Sequence, residues 1–448
     1  MSKMTISERL ANLTKSISAS PLPDEIVDEA KLCLLDFLSA TLAAQKNEFI
    51  ASLVDVFGTG PANLIHDGQS LSIAGATYAH AYLSTVEDVD DAHALASGMH
   101  LSATVFPAVL ALTHYKPVPC SGFLRACLSG YEVAGRLARS MDGGLRKRGF
   151  HATGAIGPFS ACAAAGTILG LTEKQLAQAF GIAASGAGGL FAFLPSAASS
   201  RHTHAANASV VGLMAALAAK KGVTGPVNAF EGPDGFVGPY SGNCESEFIE
   251  SASPTLTGKY EILNAYHKKY TACGHAIPAI TMGLEIHKDL SSRIGEIASV
   301  KIYGYGASSK LVRYPVETVA QAKFSLPVIF ALLMVYGDLS RSRMNMECIL
   351  QPRIAKLASK VQVLHDPGLS EMFPAVRGGR IEIILKDGQV KSYSTNRPIG
   401  MPGNELALQD VIEKFLDVAE ERVGAERAAA ITKSIRRLSD SQVTFPEF

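Results

Sequence analysis

Apolar residues recur at three- and four-residue intervals through most of the first 265 or so positions of this chain. Ile6, Leu10, Leu13 and Ile17 fall on one face of a helix. Pro23-Asp24 then opens a second helix, whose broad apolar face carries Ile26, Val27, Ala30, Leu34, Leu35 and Leu38. Later segments (Ala161 to Leu169, Leu176 to Ala184, Ala205 to Lys220) are rich in Ala and Gly. Small side chains let helix axes approach closely, so these segments predict a buried central bundle. The Gly-rich joints at 186–189 and 232–235 fit neither a P-loop nor a dinucleotide fingerprint and read as tight turns.

After about residue 268 the period changes. Val300, Ile302 and Tyr303 suggest a strand, and Ile381, Ile383 and Leu385 alternate up to Lys386-Asp387-Gly388-Gln389, a hairpin signal. Residues 390–394 return as the partner strand, and helices are expected over roughly 325–336 and 345–357. From Asn404 onward the pattern is helical again, with Leu406, Val411, Phe415 and Val418. The expected fold is therefore mainly α with an α+β lid. A discontinuous all-helical domain takes residues 1–267 and 398–448, and the smaller domain, 268–397, carries an antiparallel sheet. Arg397 to Gly403, with two prolines and two glycines, reads as a rigid hinge on the return crossing.

Composition narrows the function classes. The 448 residues are 47% hydrophobic and 18% charged, with 41 basic and 41 acidic side chains. This neutrality offers nothing to nucleic acid or an anionic membrane surface. The seven cysteines (Cys33, Cys120, Cys127, Cys162, Cys244, Cys273, Cys348) form no CxxC pair, so neither a zinc ribbon nor a disulfide framework is expected. Met1 to Ala19 carries Lys3, Glu8, Arg9 and Lys15 and lacks a signal core. No membrane span stands out, and a cytoplasmic protein is the expectation.

Within this neutral chain the polar residues are clustered. Glu87-Asp88-Val89-Asp90-Asp91 packs four carboxylates into five positions, with His93 and His100 following. Crowding of like charge drives one acid's pKa upward, as in proton-transfer sites, although a metal site or a solvated acidic turn would share the pattern. His151, in Arg148-Gly149-Phe150-His151-Ala152-Thr153-Gly154, is a general base or a helix cap. Ser200-Arg201-His202-Thr203-His204 opens a helix with cations that oppose its dipole, which implies an anion between them. Tyr266-His267-Lys268-Lys269-Tyr270, running on to Cys273-Gly274-His275, brings two lysines and further histidines to the domain junction, where clefts form. Together the clusters suit a small polycarboxylate held by cations while Asp and His move a proton. No metal site is expected, because no HxxxH-plus-carboxylate set sits on a clear helix and His202 and His204 point to different faces.

Taken in order, Asp88-Val89-Asp90-Asp91, His100-Leu101-Ser102, Gly149-Phe150-His151, Arg201 to His204 with Asn207-Ala208, Lys269-Tyr270 with Cys273-Gly274-His275, and Gln321 to Pro327 resemble the MmgE/PrpD family. That family includes 2-methylcitrate dehydratase, cis-aconitate decarboxylase and iminodisuccinate epimerase. The resemblance spans nearly the whole chain and implies a helical domain with an α+β lid, a homodimer, no cofactor and a site between the domains. It assigns Asp88, His100, His151, Lys269 and His275 to catalysis, and Arg201, His204 and Lys268 to substrate carboxylates. Three positions depart from the pattern. Ala92 lacks the hydroxyl of the Thr usual in the lyases, Leu101 stands where many relatives have Pro, and Arg201 replaces a Lys with a group that cannot act as a base. The departures at Ala92 and Arg201 favour a cofactor-independent epimerase acting on a dicarboxylate of the iminodisuccinate type. The alternative is a dehydratase or decarboxylase of a small tricarboxylate, and a carboxylate-binding homolog without activity is the reading from a different class.

Overall fold

The computed structural model describes residues 4–446 apart from 46, 97, 142–143, 197 and 243–259, so Lys3 and Cys244 lie outside the described residues. Helices Ile6–Ala19 and Asp24–Ala43 form where the apolar spacing predicts them. The first is closed by a capping box, in which Thr5 accepts from the Glu8 amide and the Glu8 carboxylate accepts from the Thr5 amide. The central pair, Ala152–Leu169 and Ser200–Lys220, packs as the small residues require. A Cβ at Gly157 would stand 2.8 Å from Ala208 Cβ, and one at Gly212 would stand 2.4 Å from Pro158 O. Neither helix could accept a larger residue there without separating. Ala152–Leu169 is also long and apolar enough to cross a bilayer, and 89% of it is buried inside this bundle.

Most buried apolar residues from the first helix through Ala265 form one cluster, joined by Leu406, Val411, Phe415 and others of the C-terminal helices Leu408–Val423 and Ala425–Arg436, while Ile50, Leu53, Leu71, Leu83 and their neighbours form a smaller one. A second cluster runs from Ala272 to Leu385. The two crossings between them lie side by side, with the His267 amide donating to Gly400 O at 3.1 Å. Gly400 sits at φ +78, and a Cβ there would meet His267 O at 2.0 Å, so the return crossing requires glycine.

The sheet of the second region has four strands in the order Val361–His365, Ile297–Gly304, Gly379–Leu385, Val390–Thr395. The expected antiparallel sheet is in fact mixed: Ile297–Gly304 pairs in parallel with Val361–His365, and the other two pairings are antiparallel. The helices between the parallel strands, including Leu326–Tyr336, supply the long crossover that a parallel pair needs. The helix expected over 345–357 divides into Met346–Ile349 and Pro352–Ala358, because Pro352 has no amide to continue the first and starts the second. All six described cysteines are buried and free.

Candidate active site

The site begins with a two-residue ladder. Ala92 pairs with Tyr266 and His93 with Ala265, antiparallel. Continuing that register places Lys268 opposite Asp90, so the acidic turn and the basic strand are brought together by backbone pairing. Side chains alternate along an extended strand. Tyr266 and Lys268 therefore face a cavity of about 470 Å³, while His267 and Lys269 face away from it. His267 turns to Glu29 (3.0 Å) and Asp36 (3.6 Å). Lys269 pairs with Asp410 at 3.1 Å on a partly exposed surface. This corrects the assignment of Lys269 to catalysis: of the two adjacent lysines, Lys268 is the one that reaches the site.

Each carboxylate of the acidic run has its own partner, which is why four can sit together. Glu87 pairs with Lys323, next to Ala322 of the second core cluster, at 2.8 Å. Asp88, the one described non-glycine residue with positive φ (55), accepts through Oδ1 from Arg201 Nη2 at 2.8 Å and Lys268 Nζ at 2.7 Å. Asp90 Oδ2 accepts from His100 Nδ1 at 2.7 Å. Asp91 accepts from the Ser102 amide (2.9 Å) at the start of helix Ser102–Tyr115 and from the Tyr131 hydroxyl (2.7 Å). The crowding reading is therefore wrong for Asp88. Burial pushes its carboxyl up, but Arg201, Lys268 and His100 outweigh it and hold the group below the usual carboxylate range. Asp88 is a fixed charge, and it is the anion that the cation-rich start of helix Ser200–Lys220 requires. Burial pushes the Lys268 ammonium down, and Asp88 and Asp90 more than restore it.

Three histidines line the same cavity. His100, with Nδ1 bonded to Asp90, directs Nε2 toward Arg201 Nη2 at 3.5 Å, an arrangement in which Nε2 is the acceptor. His151 occupies the N-cap position of Ala152–Leu169 without a side-chain capping bond, and its ring lies 6.2 Å from that of His100. Its Nδ1 is 3.0 Å from His204 Nδ1, so one proton is shared between two rings. Burial, then the neighbouring His100, His204 and Arg201, hold His151 well below its ordinary value, and it is neutral near pH 7. His275 shares a hydrogen bond with the Tyr305 hydroxyl at 2.9 Å and is pushed down to about 3, by burial and then by Arg377 and Arg146.

His204 does not line the cavity. The carboxylate-binding role expected of it gives way to contact with His151, and burial followed by Arg201 holds its pKa below the ordinary value. His202 points elsewhere, to Thr85 Oγ1 at 3.1 Å, which matches the different faces expected of the two. Ala92 is fully buried in its ladder and does not line the cavity. Its missing hydroxyl therefore removes nothing from the cavity wall. The sequence pattern does not mark Asp90 as the partner of His100. Nor does it mark Arg146, Lys147 and Lys310, which stand on the cavity wall. The resemblance, and not any property of the acidic run itself, singles out Asp88 over Asp90.

Among the described residues, two groups could hold a metal ion on proximity alone: Asp88 with Asp90 and His100, and Glu29 with Cys33 and His267. In the first, Arg201 and Lys268 already occupy the positive position against Asp88. In the second, hydrogen bonds to Asp36, Cys33 and Glu29 overcome burial and raise His267 well above its ordinary value, which favours a proton where an ion would need a lone pair.

The MmgE/PrpD N-terminal domain signature matches residues 8–249, and the MmgE/PrpD C-terminal domain signature matches residues 270–440. The chain belongs to the MmgE/PrpD family. Among curated relatives, a cis-aconitate decarboxylase-like protein, oryM, of Aspergillus oryzae is 23% identical, covering 97% of this chain and 95% of its own length. The cis-aconitate decarboxylase of Aspergillus terreus is 22% identical over 98% of this chain and 94% of its own. The mitochondrial 2-methylcitrate dehydratase of Yarrowia lipolytica is 26% identical over 65% of this chain and 58% of its own. By name, these relatives within the MmgE/PrpD family are lyases and a lyase-like protein rather than epimerases.

Proposed function

We propose that this MmgE/PrpD protein is a lyase of a small polycarboxylate, acting through its own side chains by dehydration or decarboxylation. The observation that carries the reading is the pairing of two histidine rings 6.2 Å apart beside Arg201 and Lys268. Removing a proton next to a carboxylate builds enediolate charge, and a buried guanidinium and ammonium lower that cost where it develops. One histidine Nε2 takes the proton. In a dehydration the C–O bond then breaks as the C=C bond forms, and the second histidine gives a proton to the departing hydroxyl so that it leaves as water. In a decarboxylation the C–C bond breaks, carbon dioxide leaves, and the carbanion takes a proton from the same pair.

The preference for an epimerase rested on Ala92 and Arg201. Ala92 has no place in the cavity, and Arg201 serves as a clamp for which a fixed charge is no handicap. Epimerisation of a dicarboxylate of the iminodisuccinate type is the second reading, because two neighbouring histidines could equally remove and return one proton. Proton NMR in heavy water, with citrate, 2-methylcitrate, cis-aconitate and iminodisuccinate, separates the two. Alkene signals or a decarboxylated product support the lyase. Loss of an α-proton signal with stereoisomer interconversion and no new alkene would replace it with the epimerase.

A further inference from the structure

The charge around the cavity is unevenly distributed. Of its lining residues, Asp88 is the acid, and Arg146, Lys147, Arg201, Lys268 and Lys310 are cations. The inner pair, Arg201 and Lys268, is offset by Asp88 and, 3.9 Å from Lys268, by Asp90. It is placed to orient a single substrate carboxylate, the one at the reacting carbon, and leaves the charge of any further carboxylate to the outer cations. Among the described residues, the outer three cations have no acidic partner. Arg146 and Lys147 stand on the helical turn Gly144–Lys147, and Lys310 ends the turn Ser308–Lys310 on the lid side, so the outer charge is contributed from both halves of the chain. All three are exposed at the mouth of the cavity, and Arg146 is held there by stacking, its guanidinium carbon 3.7 Å from the centroid of Phe191, itself a lining residue. The cavity, at about 470 Å³, lies within the ~300–1,000 Å³ typical of sites for drug-sized ligands. A four-carbon diacid would leave the outer cations uncompensated and much of the space empty.

We infer that Arg146, Lys147 and Lys310 form a distal anion subsite that holds the carboxylates remote from the reacting carbon and selects a tricarboxylate over a dicarboxylate. The inference deepens the reading of the cavity as a polycarboxylate site and specifies the substrate's charge. The inner cations would hold the carboxylate whose neighbouring proton is removed. The outer ones would fix the far end of the acid and bring lid and helical region together on it. Arginine at 146 suits this role because its planar fork can take a carboxylate while its face remains on Phe191.

The test is calorimetric binding, which needs no turnover. Propane-1,2,3-tricarboxylate and succinate are titrated at one ionic strength into the wild type, the Arg146→Gln/Lys310→Gln double variant and Arg201→Gln. The wild type is expected to bind the triacid at least about tenfold more tightly than the diacid, roughly 1.4 kcal/mol. The double variant should bring that ratio to within about twofold, whereas Arg201→Gln should weaken both acids together. A wild-type ratio near one, or a ratio that the double variant leaves unchanged, overturns the subsite. Absence of any chemistry on triacids in the NMR experiment, with the binding ratio intact, would remove the lyase reading and leave the subsite standing.

Discussion

At the scale of single residues, the site shows how much depends on which of two neighbours faces inward. Lys268 and Lys269 are adjacent, and alternation sends one to Asp88 and the other to Asp410. Lys268→Ala should therefore abolish measurable turnover, while Lys269→Ala should retain most of it. A steady-state comparison decides this, and the reverse order would refute the placement. Asp90→Asn tests the His100 pairing. An amide can donate to Nδ1 and shift the ring proton onto Nε2, so kcat should fall by on the order of 10²-fold or more, the usual contribution of a positioned proton-transfer group. A stable folded variant with unchanged kcat would remove His100 from proton transfer. His151 could be found in the sequence because Gly149-Phe150-His151 precedes an Ala-rich helix. The role of Asp90 could not, since four carboxylates in five positions are equivalent until their partners are known.

At the scale of elements, the site depends on close approaches that only glycine allows. The His151 amide donates to Gly189 O at 2.9 Å, and a Cβ on Gly154 would lie 2.2 Å from Gly188 O. Gly154→Ala should force the 186–189 loop away from the start of the helix. We expect a loss of about 1–3 kcal/mol of stability, as overpacking costs, together with reduced turnover because His151 moves with the loop. Thermal melts and kinetics of the same variant would show both. The C-terminal helix matters in a different way. Lys414 donates to Val89 O at 2.6 Å and to Lys268 O at 2.8 Å, tying the acidic turn to the basic strand, and it pairs with buried Asp36. Lys414→Met should lower kcat more than it raises KM, and Lys414→Arg should recover part of the loss. Equal effects on every parameter would point to general destabilisation instead. These helices were legible as helices from their apolar spacing. Their contact with the site was not, because residues 36 and 414 are brought together by the fold alone.

At the scale of the whole molecule, buried histidines make stability depend on pH. His80, His202 and His275 are each pushed down to about 3, chiefly by burial, and His93, His151 and His204 are also lowered. Between those values and the unfolded value of about 6.5, the unfolded chain binds more protons, so stability rises with pH and is lost as pH falls. Glu132, raised to about 7 by burial, and Asp91, also raised, act in the opposite sense with one proton each. His267, raised, is protonated in both states below about 6.5 and adds no slope there. Urea melts between about pH 7 and pH 4 should therefore show a steady fall in unfolding free energy toward acid. A flat profile would mean that the buried rings find proton acceptors the fold does not display.

The apolar periods of this chain were enough to determine a mainly helical body, strands after about residue 268 and the return of the C-terminal helices, because burial of one face is a local property of spacing. They also marked the polar clusters, since a neutral, apolar chain with its charge gathered into a few short runs has few other places for chemistry. The tertiary structure alone decided that the lid sheet is mixed, that Lys268 rather than Lys269 enters the cavity, that Asp90 orients His100, and that Ala92 lies outside the site. Each of these depends on strand register or on a partner far away in sequence. A one-residue change of facing reverses such an assignment without altering the composition or period of the segment that carries it.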